Sequence, residues 1–121
     1  MQIGKTKTFR NSKQWRSWLE KNHKTKKEIW LVFFKVNSKK RNKFMLYPEA
    51  VEEALCFGWI GGILKKPDKE SYAVRFSLRR KNSIWSESNK KRVIKLIKEK
   101  KMTQAGKKLI PEEVLKKTNY V

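Results

Sequence analysis

The period of the apolar positions changes several times along the chain, and each change marks an element. Trp15, Trp18 and Leu19 follow the i, i+3, i+4 spacing of one helical face, which predicts a helix over Lys13–Asn22 with Ser12 as its cap. Phe9, before it, lies in a short polar lead-in that suggests a first strand. His23–Lys27 is lysine-rich and reads as a loop. Ile29–Val36 (IWLVFFKV) reads as a strand, and its first six residues are apolar on both faces, as in a central strand. Asn37–Lys43 is a polar connection, and Phe44–Leu46 suggests a short returning strand.

Pro48 fits the first position of a helix, and Glu49 suits the positive end of its dipole. That helix is predicted to run to Cys56 and to bury Val51, Ala54 and Leu55. Gly58, Gly61 and Gly62 then imply a helix stop followed by a strand with a bulge or a close backbone approach. Pro67–Ser71 reads as a turn. Tyr72–Ser77 alternates: Tyr72, Val74 and Phe76 face one way, Ala73, Arg75 and Ser77 the other. Ser86 is placed to cap a helix over Glu87–Lys100, with Val93, Leu96, Ile97 and Ile94 on its apolar side. Thr103 suits the cap of a short helix, and Pro111 the start of a last helical turn. The tail beyond Lys116 reads as loose. Strands and helices do not simply alternate, so the expected fold is α+β: a small, mainly antiparallel sheet with three to four helices packed on it. Trp15, Trp18, Trp30, Leu55, Phe76 and Leu96 are expected to share one core.

The 121 residues suffice for a single domain, 1–121, which buries roughly two-thirds of the surface of its unfolded chain. Five Trp and six Phe can fill much of its core, so disulfides and metals are not needed. The charged start, Met1–Arg10, does not look like a signal peptide, and the longest apolar stretch is Ile29–Phe34. A cytoplasmic location is the expectation. Cys56 and His23 are each the sole residue of their kind, which argues against a zinc site and leaves a Cys–His pair as a remote option. No cofactor-binding signature is present.

A net charge of +21 changes the picture further. Such a field attracts nucleic acid and other polyanions. Lysines spread along the chain also suit a merely solvated surface, whereas arginine reports planar recognition of phosphate. Arginine concentrates at Arg75, Arg79, Arg80 and, slightly later, Arg92.

Glu53–Gly62 (EALCFGWIGG) and Arg75–Asn89 (RFSLRRKNSIWSESN), with Trp15–Leu19 and Ile29–Val32, resemble the YdeI/OmpD-associated family, also labelled a bacteriocin-protection family. The likeness covers about residues 8–110. It implies a small α+β protein linked to antimicrobial resistance or a porin, and it brings no catalytic mechanism. Two positions depart from the family pattern. Gly61 stands where an Asp usually follows the Trp-Ile pair, and Leu78 where a Pro usually precedes the paired arginines.

The candidate site follows from the second motif. Arg75, Arg79, Arg80 and Lys81 lead into the helix capped by Ser86, whose free N–H groups and dipole favour an anion. Ser83 and Asn89 offer neutral hydrogen bonds, and Trp85 or Trp59 a surface on which a base could stack. The alternative assigns the same residues to structure: Trp85 as a core anchor, Ser86 and Asn89 as helix caps, and the arginines paired with Glu53 or Glu87 or facing water. Glu49, Glu52 and Glu53 cluster on one helix, with nothing to split their acidities.

The leading expectation is a non-enzymatic protein that binds an anion or nucleic acid. One rival is an enzyme acting on a small anionic substrate through Glu53 or Cys56. The other is an adaptor that uses Trp59 or Trp85 at a protein interface. A pocket joining the two motifs would favour the enzyme, a flat basic face nucleic acid, and exposed Trp without a pocket the adaptor.

Overall fold

In a computed structural model, residues 5–66 and 68–118 are described. The N-terminal lead-in ends in a two-residue strand, β1 (Thr6–Lys7), just before Phe9. Helix α1 (Ser12–Asn22) follows. Its cap is Asn11, one residue earlier than Ser12: the Asn11 side chain accepts the backbone N–H of Gln14 at 2.9 Å. Strand β2 covers Glu28–Phe34, so Val36 falls outside it and is 82% exposed.

No returning strand forms at Phe44–Leu46. A 3-10 turn, Arg41–Lys43, occupies the connection. The next residues are extended, but their one backbone tie to the sheet region runs from Met45 N–H to the Phe9 carbonyl, 3.0 Å. The Leu46 N–H is taken by the Glu49 carboxylate at 3.0 Å, which starts helix α2 (Tyr47–Cys56). A segment whose donors are already committed cannot join a ladder.

Gly58, at φ +76°, ends α2 in the left-handed conformation that favours glycine. Strand β3 (Trp59–Lys65) follows at once, with a register shift between Gly61 and Leu64. Of the turn expected at Pro67–Ser71, Pro67 lies outside the described residues; Asp68 stabilises the rest by accepting the N–H groups of Glu70 and Ser71. Strand β4 (Ser71–Leu78) leads to α3 (Glu87–Lys98), α4 (Gln104–Lys107) and α5 (Glu112–Lys116). Ser86 caps α3 and Thr103 caps α4. Helix α3 stops at Lys98, and Lys100 takes φ +61°. Beyond Lys116, Thr118 hydrogen-bonds the Leu115 carbonyl, and residues 119–121 lie outside the described residues.

Among the described residues the sheet has the order β1-β2-β4-β3. Strand β1 runs parallel to β2, whereas β2–β4 and β3–β4 are antiparallel. Ile29, Leu31, Phe33, Val74 and Phe76 meet Trp15, Leu19, Leu55 and Leu96 in one cluster on the helix side. Trp15 also ties α1 to α2, donating its indole N–H to the Ala50 carbonyl at 3.0 Å. Trp30 is buried but stands outside that cluster. Its neighbours Ile29 and Leu31 face the helices, so the strand period turns Trp30 to the opposite face. Trp18 packs on the edge of the core, only partly buried.

Candidate anion site

Strand register brings three distant segments to one end of the sheet. Glu28 pairs with Ser77, so the lysine loop entering β2 abuts the arginines leaving β4. Trp59 pairs with Leu78 and Ile60 with Ser77, which sets the start of β3 beside them. The Arg79 N–H extends this pairing by one bond, to the Gly58 carbonyl at 2.8 Å. The chain then turns through Asn82, at φ +67°, and returns by Ser83, Ile84 and Trp85 to the cap of α3.

This turn folds back over Arg79, which is only 4% exposed. Its guanidinium lies 3.8 Å from the centroid of the Trp85 ring, and Nη2 donates to the Ile84 carbonyl at 2.7 Å. Nε and Nη1 are buried with no hydrogen-bond partner among the described residues, and the same holds for the Ser83 hydroxyl. The ion pairs among the described residues leave Arg79 out. Burial pushes its pKa down. Arg79 and Ser83 border a cleft of about 240 Å³, where Ile60 of the first motif meets Ser77, Leu78 and Arg80 of the second.

Removing a charged group from water costs several kcal/mol even after the protein relaxes. A hydrogen bond from a charged donor returns about 1.5–3 kcal/mol, and a desolvated cation–π contact about 2 kcal/mol. Two nitrogens are still unpartnered among the described residues, and guanidinium geometry suits a phosphate or a carboxylate.

The other candidates divide between this cleft and other roles. Arg80 is exposed and borders the cleft. Arg75 forms an ion pair with Glu28 at 2.7 Å and borders a second cleft, with Arg80 and the lysine loop. Lys81 borders a third, beside Ser83, Trp85 and Glu112. Ser86 caps the Asn89 N–H at 3.1 Å, and the Asn89 side chain accepts from Arg92 at 2.9 Å, so these two satisfy the helix end instead of lining the Arg79 cleft. Trp59 is fully buried and packs edge-on against Trp18, so it presents no face to a base. One face of Trp85 is taken by Arg79.

The groups nominated for chemistry lie elsewhere. Glu53 is buried and pairs at 2.9 Å with Arg16, a residue that helical periodicity treats as plain polar surface. Burial opposes the Arg16 charge, but its hydrogen bond with Glu53 and the nearby Cys56 sulfur raise its pKa nonetheless. Burial pushes the Cys56 thiol up to about 11, so it is a poor nucleophile at neutral pH. His23 packs on Phe57, with Nδ1 at 2.7 Å from the Leu19 carbonyl. Glu87 pairs with Lys90 rather than with an arginine. Among the described residues no group of three His, Cys, Asp or Glu could hold a metal ion. A side chain at Gly61 would press on the Phe76 ring at 3.3 Å, on the core side of the sheet.

A family model matches residues 7–109, from β1 through α4, and so contains the whole cleft. The chain belongs to that family, described as a domain of unknown function, DUF8412. No curated protein and no solved structure matches it. Among the described residues no helix is long and apolar enough to cross a membrane.

Proposed function

We propose that this is a non-enzymatic binding protein whose ligand places an oxyanion, a phosphate or a carboxylate, against Arg79. The observation that carries this reading is the buried Arg79 guanidinium, in no ion pair and with Nε and Nη1 unpartnered among the described residues, on the same cleft as the unpartnered Ser83 hydroxyl. The bound anion would replace the carboxylate partner that a buried arginine ordinarily has. The cleft joins the two sequence motifs, as an active site would, but neither Glu53 nor Cys56 borders it. Binding without catalysis is the simpler use of such a site. The reading places the protein inside the cell, where phosphorylated and acidic partners abound, and it is compatible with the likeness to the YdeI/OmpD-associated family.

Thermal unfolding in chloride and in phosphate at equal ionic strength tests this. Each kcal/mol of binding linkage should raise Tm by about 4 °C in a chain of this size. Phosphate is expected to stabilise the wild type by several degrees beyond chloride. Arg79→Met keeps an unbranched chain against Trp85 and removes the charge. It should abolish the phosphate effect while holding or raising Tm in chloride, because a buried unpaired charge is gone. A phosphate effect that survives in Arg79→Met would refute the assignment.

A further inference from the structure

The Arg79 cleft does not stand alone. A second cleft, of about 490 Å³, shares Ser77, Leu78 and Arg80 with it. Its far side is the loop after α1, which contributes Lys24, Lys26 and Lys27. Among the described residues no Asp or Glu lines either cleft, although Glu28 pairs with Arg75 of the second, whereas clefts elsewhere on the surface include Glu20, Glu112 or Glu113. The two therefore adjoin as one cationic track over the end of the sheet, with Arg80 at the shared wall. Along that wall the surface is apolar as well as basic. Leu78 is 56% exposed, and Ile84, which also lines the Arg79 cleft, is 95% exposed.

We infer that the track holds a single strand of nucleic acid by its backbone, with one phosphate at Arg79 and a neighbouring one at the Lys24–Lys27 loop. This rests on the anion reading of Arg79 and extends it from one oxyanion to successive phosphates. The apolar wall favours a nucleic acid over a bare phosphate chain, because bases and sugars have faces to lay on Leu78 and Ile84, and a bare chain has none. The small volume of the Arg79 cleft, about 240 Å³, and the burial of Arg79 favour a flexible single strand over a duplex, which presents its phosphates on a stiff rod. Among the described residues, neither cleft is lined by an aromatic side chain other than His23, so stacking does not select bases. The strand is held with little sequence preference, mainly through phosphate contacts and counterion release.

The test uses the full chain and a fluorescein-labelled oligodeoxythymidylate, with binding read by anisotropy across a salt series. Two triple variants remove equal charge: Lys24→Gln, Lys26→Gln, Lys27→Gln on the track, and Lys98→Gln, Lys100→Gln, Lys101→Gln at the end of α3. All six side chains are exposed, so both variants should fold. The track variant is expected to lose about tenfold more affinity than the control, and the salt slope to fall by about 0.7 more than in the control, as for one single-strand phosphate contact. Its phosphate stabilisation at Arg79 should be unchanged. Equal losses in the two variants would overturn the strand inference and leave the Arg79 reading in place. Displacement of the probe by tripolyphosphate or by a duplex as readily as by the unlabelled strand, at equal phosphate concentration, would also overturn it. Phosphate stabilisation that persists in Arg79→Met would remove both readings.

Discussion

Arg79 and Arg80 are neighbours with opposite surroundings: one is 4% exposed and the other lies open to solvent. Two adjacent guanidiniums are visible in the sequence, but which one is buried is not. That depends on Trp85, which returns over Arg79 only because Asn82 turns the chain. Arg16 is illegible in the sequence for a similar reason. It is a polar position on a helix, and its tie to Glu53 and to the Lys101 carbonyl spans segments far apart in sequence. Cys56 gives a test at this scale. Its folded pKa is raised, so its contribution to stability is complete below the unfolded value near 9 and is lost as the pH rises towards about 11. Relative to Cys56→Ala, the wild type should lose on the order of 2–3 kcal/mol between pH 8 and pH 11. Urea unfolding of both proteins at several pH values measures this. Parallel pH profiles would mean that the thiol is not held protonated.

At the scale of elements, local signals suffice where one periodicity rules. Helices α1, α2 and α3, strands β2 and β4, the glycine stop after α2 and the irregular β3 are all legible from spacing and caps. The misses come where several choices are locally acceptable. Asn11 and Ser12 are both good caps, and only the fold selects between them. Phe44–Leu46 is extended as expected, but its pairing depends on where Phe9 ends up. Hydrophobicity alone assigns Trp30 to the main core, against the strand period that places it on the other face. Burial ranks the α1 tryptophans. Trp15→Ala should cost roughly 3–5 kcal/mol, as for a fully buried aromatic, with its bond to Ala50 lost as well. Trp18→Ala should cost clearly less. Chemical denaturation that gives equal losses would contradict the packing described. A third substitution probes α4, where Gly106 lies so close that a β-carbon would collide with the Cys56 carbonyl and come within 2.6 Å of the Met102 sulfur. Gly106→Ala should therefore lower Tm, although alanine is the better helix former.

For the whole molecule, charge outweighs every other long-range effect. Against +21, only five ion pairs form among the described residues, and most involve exposed side chains. Self-repulsion is screened over about 8 Å at physiological ionic strength. Raising sodium chloride from low to moderate concentration should therefore raise Tm, even with no anion bound at Arg79. A flat response in calorimetry would show that the lysines are too far apart to repel one another significantly. Composition alone announces this electrostatic character. Only the register of three strands shows that the lysine loop and the arginine turn share one edge of the fold.

The strand order has a consequence for how the protein is made. Strand β2 finds its main partner, β4, only after α2 and β3 have been synthesised in between. At about 5–20 residues per second, the ribosome extrudes IWLVFF seconds before the strand that will cover its edge. The run is uncharged, free of proline and rich in strand formers, the composition that self-associates when left bare. Lys26, Lys27, Glu28 and Lys35 flank it directly. Such flanking charges discourage pairing between nascent chains, so the same lysine loop that borders the basic track also guards β2 during synthesis.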